Sequence, residues 1–180
     1  MRKRLPAEQA RRVMAIFFGA VVGVVLLSYW HSQRMFEGYN APLPMLELNR
    51  LDGSTLMVDE LYGKPLIINI WATWCEPCRE EMPALQRLKD KMGDRVQVIG
   101  ISVDQDTNLI QEFNRRYGLD FAPYWDPDGR LAERLGVTLY PSTLMVSAEG
   151  VWLDLMVGDR EWDSDEMVDY INELYDGTWQ

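Results

Sequence analysis

A chain of 180 residues, 47% hydrophobic and 26% charged, has room for one domain of ordinary size and an appendage. Its net charge is −10, and five bases against one acid leave residues 1–12 at +4, so the remainder carries −14, an excess that repels nucleic acid and anionic lipid and points to protein partners. Two cysteines and a single histidine, His31, exclude both a disulfide-stapled scaffold and a four-ligand zinc site.

The appendage comes first. Arg2, Lys3, Arg4, Arg11 and Arg12 face only Glu8, and residues 13–33 then carry no formal charge with His31 neutral. At ~1.5 Å per residue this run is about 31 Å long as a helix, enough to cross a bilayer core. The basic flank holds residues 1–12 in the cytoplasm and sends the rest outward, with Tyr29 and Trp30 at the outer interface. A cleaved signal peptide shares this pattern, but residues 27–31 offer no small-x-small cleavage site, so the segment reads as an uncleaved transmembrane anchor. Gly19 and Gly23 have the spacing that lets two membrane helices approach closely. Residues 34–40 form a tether, and residues 41–180 the exported domain.

That domain opens with a small hairpin ahead of its main body: Met45 to Leu48, a turn at Asp52-Gly53, and a return through Leu56 to Val58. Leu66 to Trp71 is a near-continuous apolar run, the pattern of a strand buried on both faces. A helix follows from Pro77 to about Met92 with Met82, Leu85 and Leu88 on one face, and Pro83 is expected to kink it. Val96 to Val103 is a second buried strand. Thr107 is positioned to cap a helix carrying Leu109, Ile110, Phe113 and Tyr117, closed by Gly118. A short strand over Phe121 to Trp125, a turn at 126–129 and a short helix over Arg130 to Leu135 lead to Tyr140-Pro141. Strands at Thr143 to Val146 and Val151 to Val157 flank a turn at Glu149-Gly150, and Ser164 caps a last helix with Met167, Ile171 and Leu174 inward. Parallel strands first and an antiparallel pair at the end make an α/β fold. The seven tryptophans and most methionines fall at core-like spacings and are assigned to packing.

The chemistry lies in Trp74-Cys75-Glu76-Pro77-Cys78, where a buried strand hands the first sulfur to a helix start. Free N–H groups and the helix dipole stabilise a thiolate there, and the second sulfur lies one turn on, within bonding reach. A structural disulfide gains little from a two-residue loop, which leaves a chance pair of buried thiols or a redox-active dithiol; the strand before it and the proline inside it favour the dithiol.

The run from Asn69 to Pro83, in this order of elements, resembles the membrane-anchored ResA/TlpA group of bacterial thiol-disulfide oxidoreductases. The likeness covers about residues 41–176, including a helix-containing insertion near residues 104–123 that thioredoxin lacks. It implies a thioredoxin-like fold with one N-terminal transmembrane helix, anchored in the bacterial inner membrane with the domain periplasmic or otherwise extracytoplasmic. It also implies that Cys75 is the exposed nucleophile and Cys78 the buried resolving thiol, that Trp74 packs beside their disulfide, and that Tyr140-Pro141 is a cis-proline loop lying against it. Glu76 and Pro77, between the sulfurs, shape the site. Some members place a glutamate after the second strand; here Asp104 stands nearest, as a carboxylate beside the dithiol or as a loop aspartate in water. No cofactor or metal is implied. Partners would be disulfide-bearing clients, for example in cytochrome c or oxidase assembly, and an upstream thiol electron donor. Glu76, Glu80 and Glu81 near a forming thiolate oppose its charge, so the pair is expected to reduce clients. A disulfide-forming oxidant has the same fold with the current reversed. A Cu(I) metallochaperone would be expected to add a distant histidine, which the exported domain lacks outside His31.

Overall fold

The computed structural model describes residues 8–9, 13–14, 16–24, 26, 40–121 and 123–176. Residues 16–24 are helical, with Phe17 and Phe18 exposed. Among the described residues no helix is long and apolar enough to cross a membrane. The expected span at 13–33 falls partly outside those residues, as do residues 1–12; Tyr29, Trp30, His31 and all of the tether before Asn40 lie wholly outside them.

From residue 40 onward the chain forms one seven-stranded sheet with helices: β1 (Glu47–Arg50), β2 (Thr55–Met57), β3 (Leu66–Trp71), α1 (Glu76–Met92), β4 (Gln97–Ser102), α2 (Thr107–Tyr117), β5 (Pro123–Trp125), α3 (Arg130–Arg134), β6 (Ser142–Val146), β7 (Trp152–Val157) and α4 (Asp165–Asp176). The strand order is β2-β1-β5-β4-β3-β6-β7. Strands β3, β4 and β5 are parallel, whereas β6 runs antiparallel to β3 and β7 antiparallel to β6. All six residues of β3 are buried, as a central strand covered on both faces requires. The hairpin is no separate preface: β1 pairs antiparallel with β5 through Asn49 opposite Trp125, so it extends the main sheet.

Right-handed crossovers that advance from β3 to β4 and from β4 to β5 put α1 and α2 on one face. There α1 buries Met82, Leu85 and Leu88, each contributing about 1.5–3 kcal/mol in transfer from water. Its polar flank is tied on one side to Asp120 by Gln86 and Lys89, and on the other to Asp163 by Arg87. The helix runs through Pro83 as one element. Gly100, opposite Asn69, exists where side chains crowd the sheet: a Cβ there would lie 2.8 Å from the Phe121 ring and 3.1 Å from Trp71 Nε1.

Helix ends follow their capping chemistry with one shift. Asp106, not Thr107, caps α2, its carboxylate accepting the Asn108 N–H at 2.9 Å, because the charged acceptor one residue earlier reaches the free amide. With the helix so phased, Leu109 faces outward while Ile110 and Phe113 are buried. Gly118 closes α2 at φ 65°, ψ 34°, the left-handed conformation glycine adopts without strain. Ser164 Oγ accepts the Met167 N–H and caps α4.

Candidate active site

Strand β3 ends at Trp71, and the turn of residues 72–74 delivers Cys75 to the N-cap of α1, one residue earlier than the sequence places the helix. Pro77 stands in the first turn, where a missing N–H costs nothing. Cys75 and Cys78 form a disulfide, S–S 2.10 Å, with their Cα atoms 5.3 Å apart. The Cys78 N–H donates to Cys75 Sγ at 3.3 Å. That donor and the positive end of the helix dipole are the groups that stabilise charge on Cys75 once the bond opens. Cys78 is fully buried; Cys75 is 7% exposed, less open than an exposed nucleophile should be, yet the more accessible of the two.

The peptide bond Tyr140–Pro141 is cis. Because β6 pairs with β3 through Ser142 opposite Ile70, this bond lies at the strand end that carries Cys75. The rings of Tyr140 and Trp74 meet edge-on at 6.0 Å. Trp74 is 66% exposed, a correction to the assignment of all tryptophans to packing: it sits in the turn, outside any helix or strand period, and projects with Leu139, 63% exposed, as an apolar rim. Glu76 is exposed and paired with Arg79 at 3.4 Å.

Asp104 is not a loop carboxylate in water. It is buried; its oxygens accept the Thr73 N–H at 2.8 Å, the Thr73 hydroxyl at 2.6 Å and the Ser102 hydroxyl at 2.6 Å. Three donors leave it bracing the turn two residues before Cys75.

A second buried carboxylate was not singled out by the sequence. Glu81, 2% exposed, lies three residues after Cys78 on the buried face of α1. Residues three apart on a helix are neighbours, with Cβ atoms about 5–6 Å apart. Its Oε1 accepts from Asn69 Nδ2 at 2.8 Å, and its Oε2 from Trp162 Nε1 at 2.8 Å and the Arg160 N–H at 3.3 Å. Burial pushes this carboxyl up to about 7, against the three donors that favour its charge and with the nearby charge of Asp159. Among the described residues no group of histidine, cysteine and acidic side chains is arranged to hold a metal.

An α/β sheet with a cystine at the junction of a central strand and a helix, facing a cis-proline turn, defines a thioredoxin-like thiol-disulfide oxidoreductase. The AhpC/TSA family model matches residues 39–152, and the chain belongs to that family. Its relatives include the thioredoxin-like protein YneN of Bacillus subtilis, 34% identical over 68% of this chain and 72% of that protein. The thiol-disulfide oxidoreductase ResA of Bacillus subtilis is 28% identical over 78% of this chain and 77% of its own. The fold matches that of a Chlorobium tepidum protein described as a thiol:disulfide interchange protein DsbE, at TM-score 0.69 and 23% identity, covering 76% of this chain and 96% of that one.

Proposed function

We propose that this protein reduces disulfides of exported client proteins through Cys75 and Cys78, held at the outer face of a bacterial inner membrane by residues 13–33 with residues 1–12 in the cytoplasm. The observation that carries this reading is the asymmetry of the two sulfurs: Cys75 caps the helix, is the more accessible and accepts an amide N–H, while Cys78 is sealed beneath it. Cys75 thiolate attacks a client disulfide; its sulfur bonds to one client sulfur while the other leaves as thiolate and takes a proton from water. Cys78 gives its proton to Glu81 and attacks Cys75 Sγ; the second client sulfur leaves as thiolate and takes a proton from water, and Cys75–Cys78 is left oxidised. Two electrons pass to the client, and an upstream thiol donor restores the dithiol. Trp74, Leu139 and Tyr140 give an apolar client segment a surface beside the cystine. Disulfides met in cytochrome c or oxidase assembly are the example clients of this proposal.

The direction rests on local charge. Glu76 and Glu80 are exposed close to Cys75, and Arg79 offsets the first only in part, so the thiolate is stabilised less than in a strong oxidant. The donation from Cys78 N–H to Cys75 Sγ favours the opposite direction, disulfide formation. Equilibration against thiol couples of known potential separates the two: a value within about 30 mV of thioredoxin, near −270 mV, is expected, and one near about −120 mV, as in DsbA, would assign an oxidant. In cells, Cys78→Ser should accumulate mixed disulfides through Cys75, and the trapped proteins identify the clients.

A further inference from the structure

We propose that Trp162 is a positioning residue of the dithiol site, its indole N–H fixing the carboxyl of Glu81 one helical turn from Cys78. The inference rests on the reading that Glu81 takes the Cys78 proton. Trp162 belongs to the loop between β7 and α4, remote in sequence from the cysteines, and is fully buried. A buried indole N–H needs an acceptor, and the choice of acceptor fixes what it positions. This one points its donor at Glu81 Oε2 at 2.8 Å, and the Arg160 N–H meets the same oxygen at 3.3 Å. An indole N–H cannot accept a proton, so Oε2 is held as an acceptor whether or not Glu81 is charged.

The carboxyl proton is therefore directed to Oε1, the oxygen facing Asn69. Asn69 Nδ2 donates to Oε1 at 2.8 Å, an arrangement that suits the ionised carboxylate, and to Thr143 Oγ1 at 2.9 Å, while Asn69 Oδ1 has no partner among the described residues. Turning the amide over exchanges the two atoms. Oδ1 then accepts both the Glu81 O–H and the Thr143 O–H, and Nδ2 takes the place that Oδ1 held. No hydrogen bond among the described residues pins Oδ1, so the amide can turn over in place.

The ionisable groups around Glu81 are Cys78, Glu80 and Arg87 from α1 and Asp159, Arg160, Glu161 and Asp163 from the loop; β3 and β6 contribute the neutral Asn69 and Thr143. A cleft of about 610 Å³ lined by Glu80, Glu81, Arg87 and this loop gives the carboxyl a route to solvent.

The wild-type protein supplies the first test. In the oxidised full chain, labelled with nitrogen-15, the Trp162 indole N–H resonance should titrate with a midpoint near 7, the value to which burial moves Glu81, and should stay flat in Glu81→Gln. A resonance that does not move in the wild type overturns the proposal whatever the protein's function. In Trp162→Phe, loss of one donor to a charged acceptor should weaken the Glu81 acid about tenfold, moving the pH midpoint of mixed-disulfide release up by about one unit. Packing loss alone would change stability without moving that midpoint. If the indole titrates but Glu81→Gln releases clients at the wild-type rate at every pH, the proton-transfer reading fails and Trp162 loses its role in exchange.

Discussion

Glu81→Gln should alter how stability depends on pH, and the sign follows from the site. The folded carboxyl ionises near 7, whereas its value free in water is 4.5. Between those limits the unfolded chain has released its proton while the folded protein keeps it, so unfolding becomes easier as pH rises. The stabilisation is fully present below about pH 4.5 and is lost as pH climbs through the folded value. A displacement of this size corresponds to about 3 kcal/mol in total, complete by about pH 8. The window is favourable, because the only histidine in the chain is His31 and the described domain has none to titrate there. Glutamine keeps an oxygen for the Trp162 and Arg160 donors and presents an amide N–H to Asn69 as the protonated acid does, so the variant mimics the low-pH state. Urea unfolding of the oxidised full chain, solubilised in a non-ionic detergent, at several values between about pH 5 and pH 8 measures the effect. The variant should be nearly flat across this range, close to wild type at the acid end and more stable than it at the alkaline end. Parallel curves for the two proteins would refute the reasoning, since they would mean that Glu81 ionises as a solvated carboxylate.

Two further substitutions test the frame of the site. Gly100→Ala drives a methyl group into the Phe121 ring and Trp71, and overpacking of this kind should cost about 1–3 kcal/mol in unfolding free energy; an unchanged urea midpoint would show that the two rings move aside freely. Asp104→Ala leaves the Thr73 N–H and two hydroxyls without their acceptor beneath the turn before Cys75, and should cost about 1–3 kcal/mol in the same assay; a loss below about 0.5 kcal/mol would show that the turn is held without it.

The parts of the fold that depend on local pattern were legible in the sequence. The apolar runs of β3 and β4 have no polar alternation to misread, and Gly118 and Ser164 occupy their cap positions by chemistry that acts within a few residues. The pair Cys75 and Cys78 at a strand-to-helix junction was legible for the same reason. Where two capping residues adjoin, as Asp106 and Thr107 do, the pattern fits either, and the geometry of the free amides decides. Trp74 was wrongly counted with the core, because it stands in a turn and periodicity says nothing of a turn. The pairing of β1 with β5 joins residues about 75 positions apart, and no local signal specifies it.

Glu81 is the instructive case, because part of its role was written in the sequence. Cys78, Met82, Leu85 and Leu88 trace the buried stripe of α1, and Glu81, three residues after Cys78 and four before Leu85, falls on that stripe, whereas Glu80 falls off it. A carboxylate at a core position of an amphipathic helix has to be neutralised or supplied with donors. Helical period alone was therefore enough to separate the two adjacent glutamates. Its partners were out of reach, since Asn69 lies on β3 and Trp162 and Arg160 beyond β7, with Thr143 of β6 holding Asn69 in turn, and only the order β3-β6-β7 with α1 above it assembles them around one carboxyl. The cystine can be placed by local rules, while the group that handles its proton is assembled from the whole topology. Substitutions at these remote positions should accordingly change the pH at which exchange runs while leaving the identity of the attacking sulfur untouched.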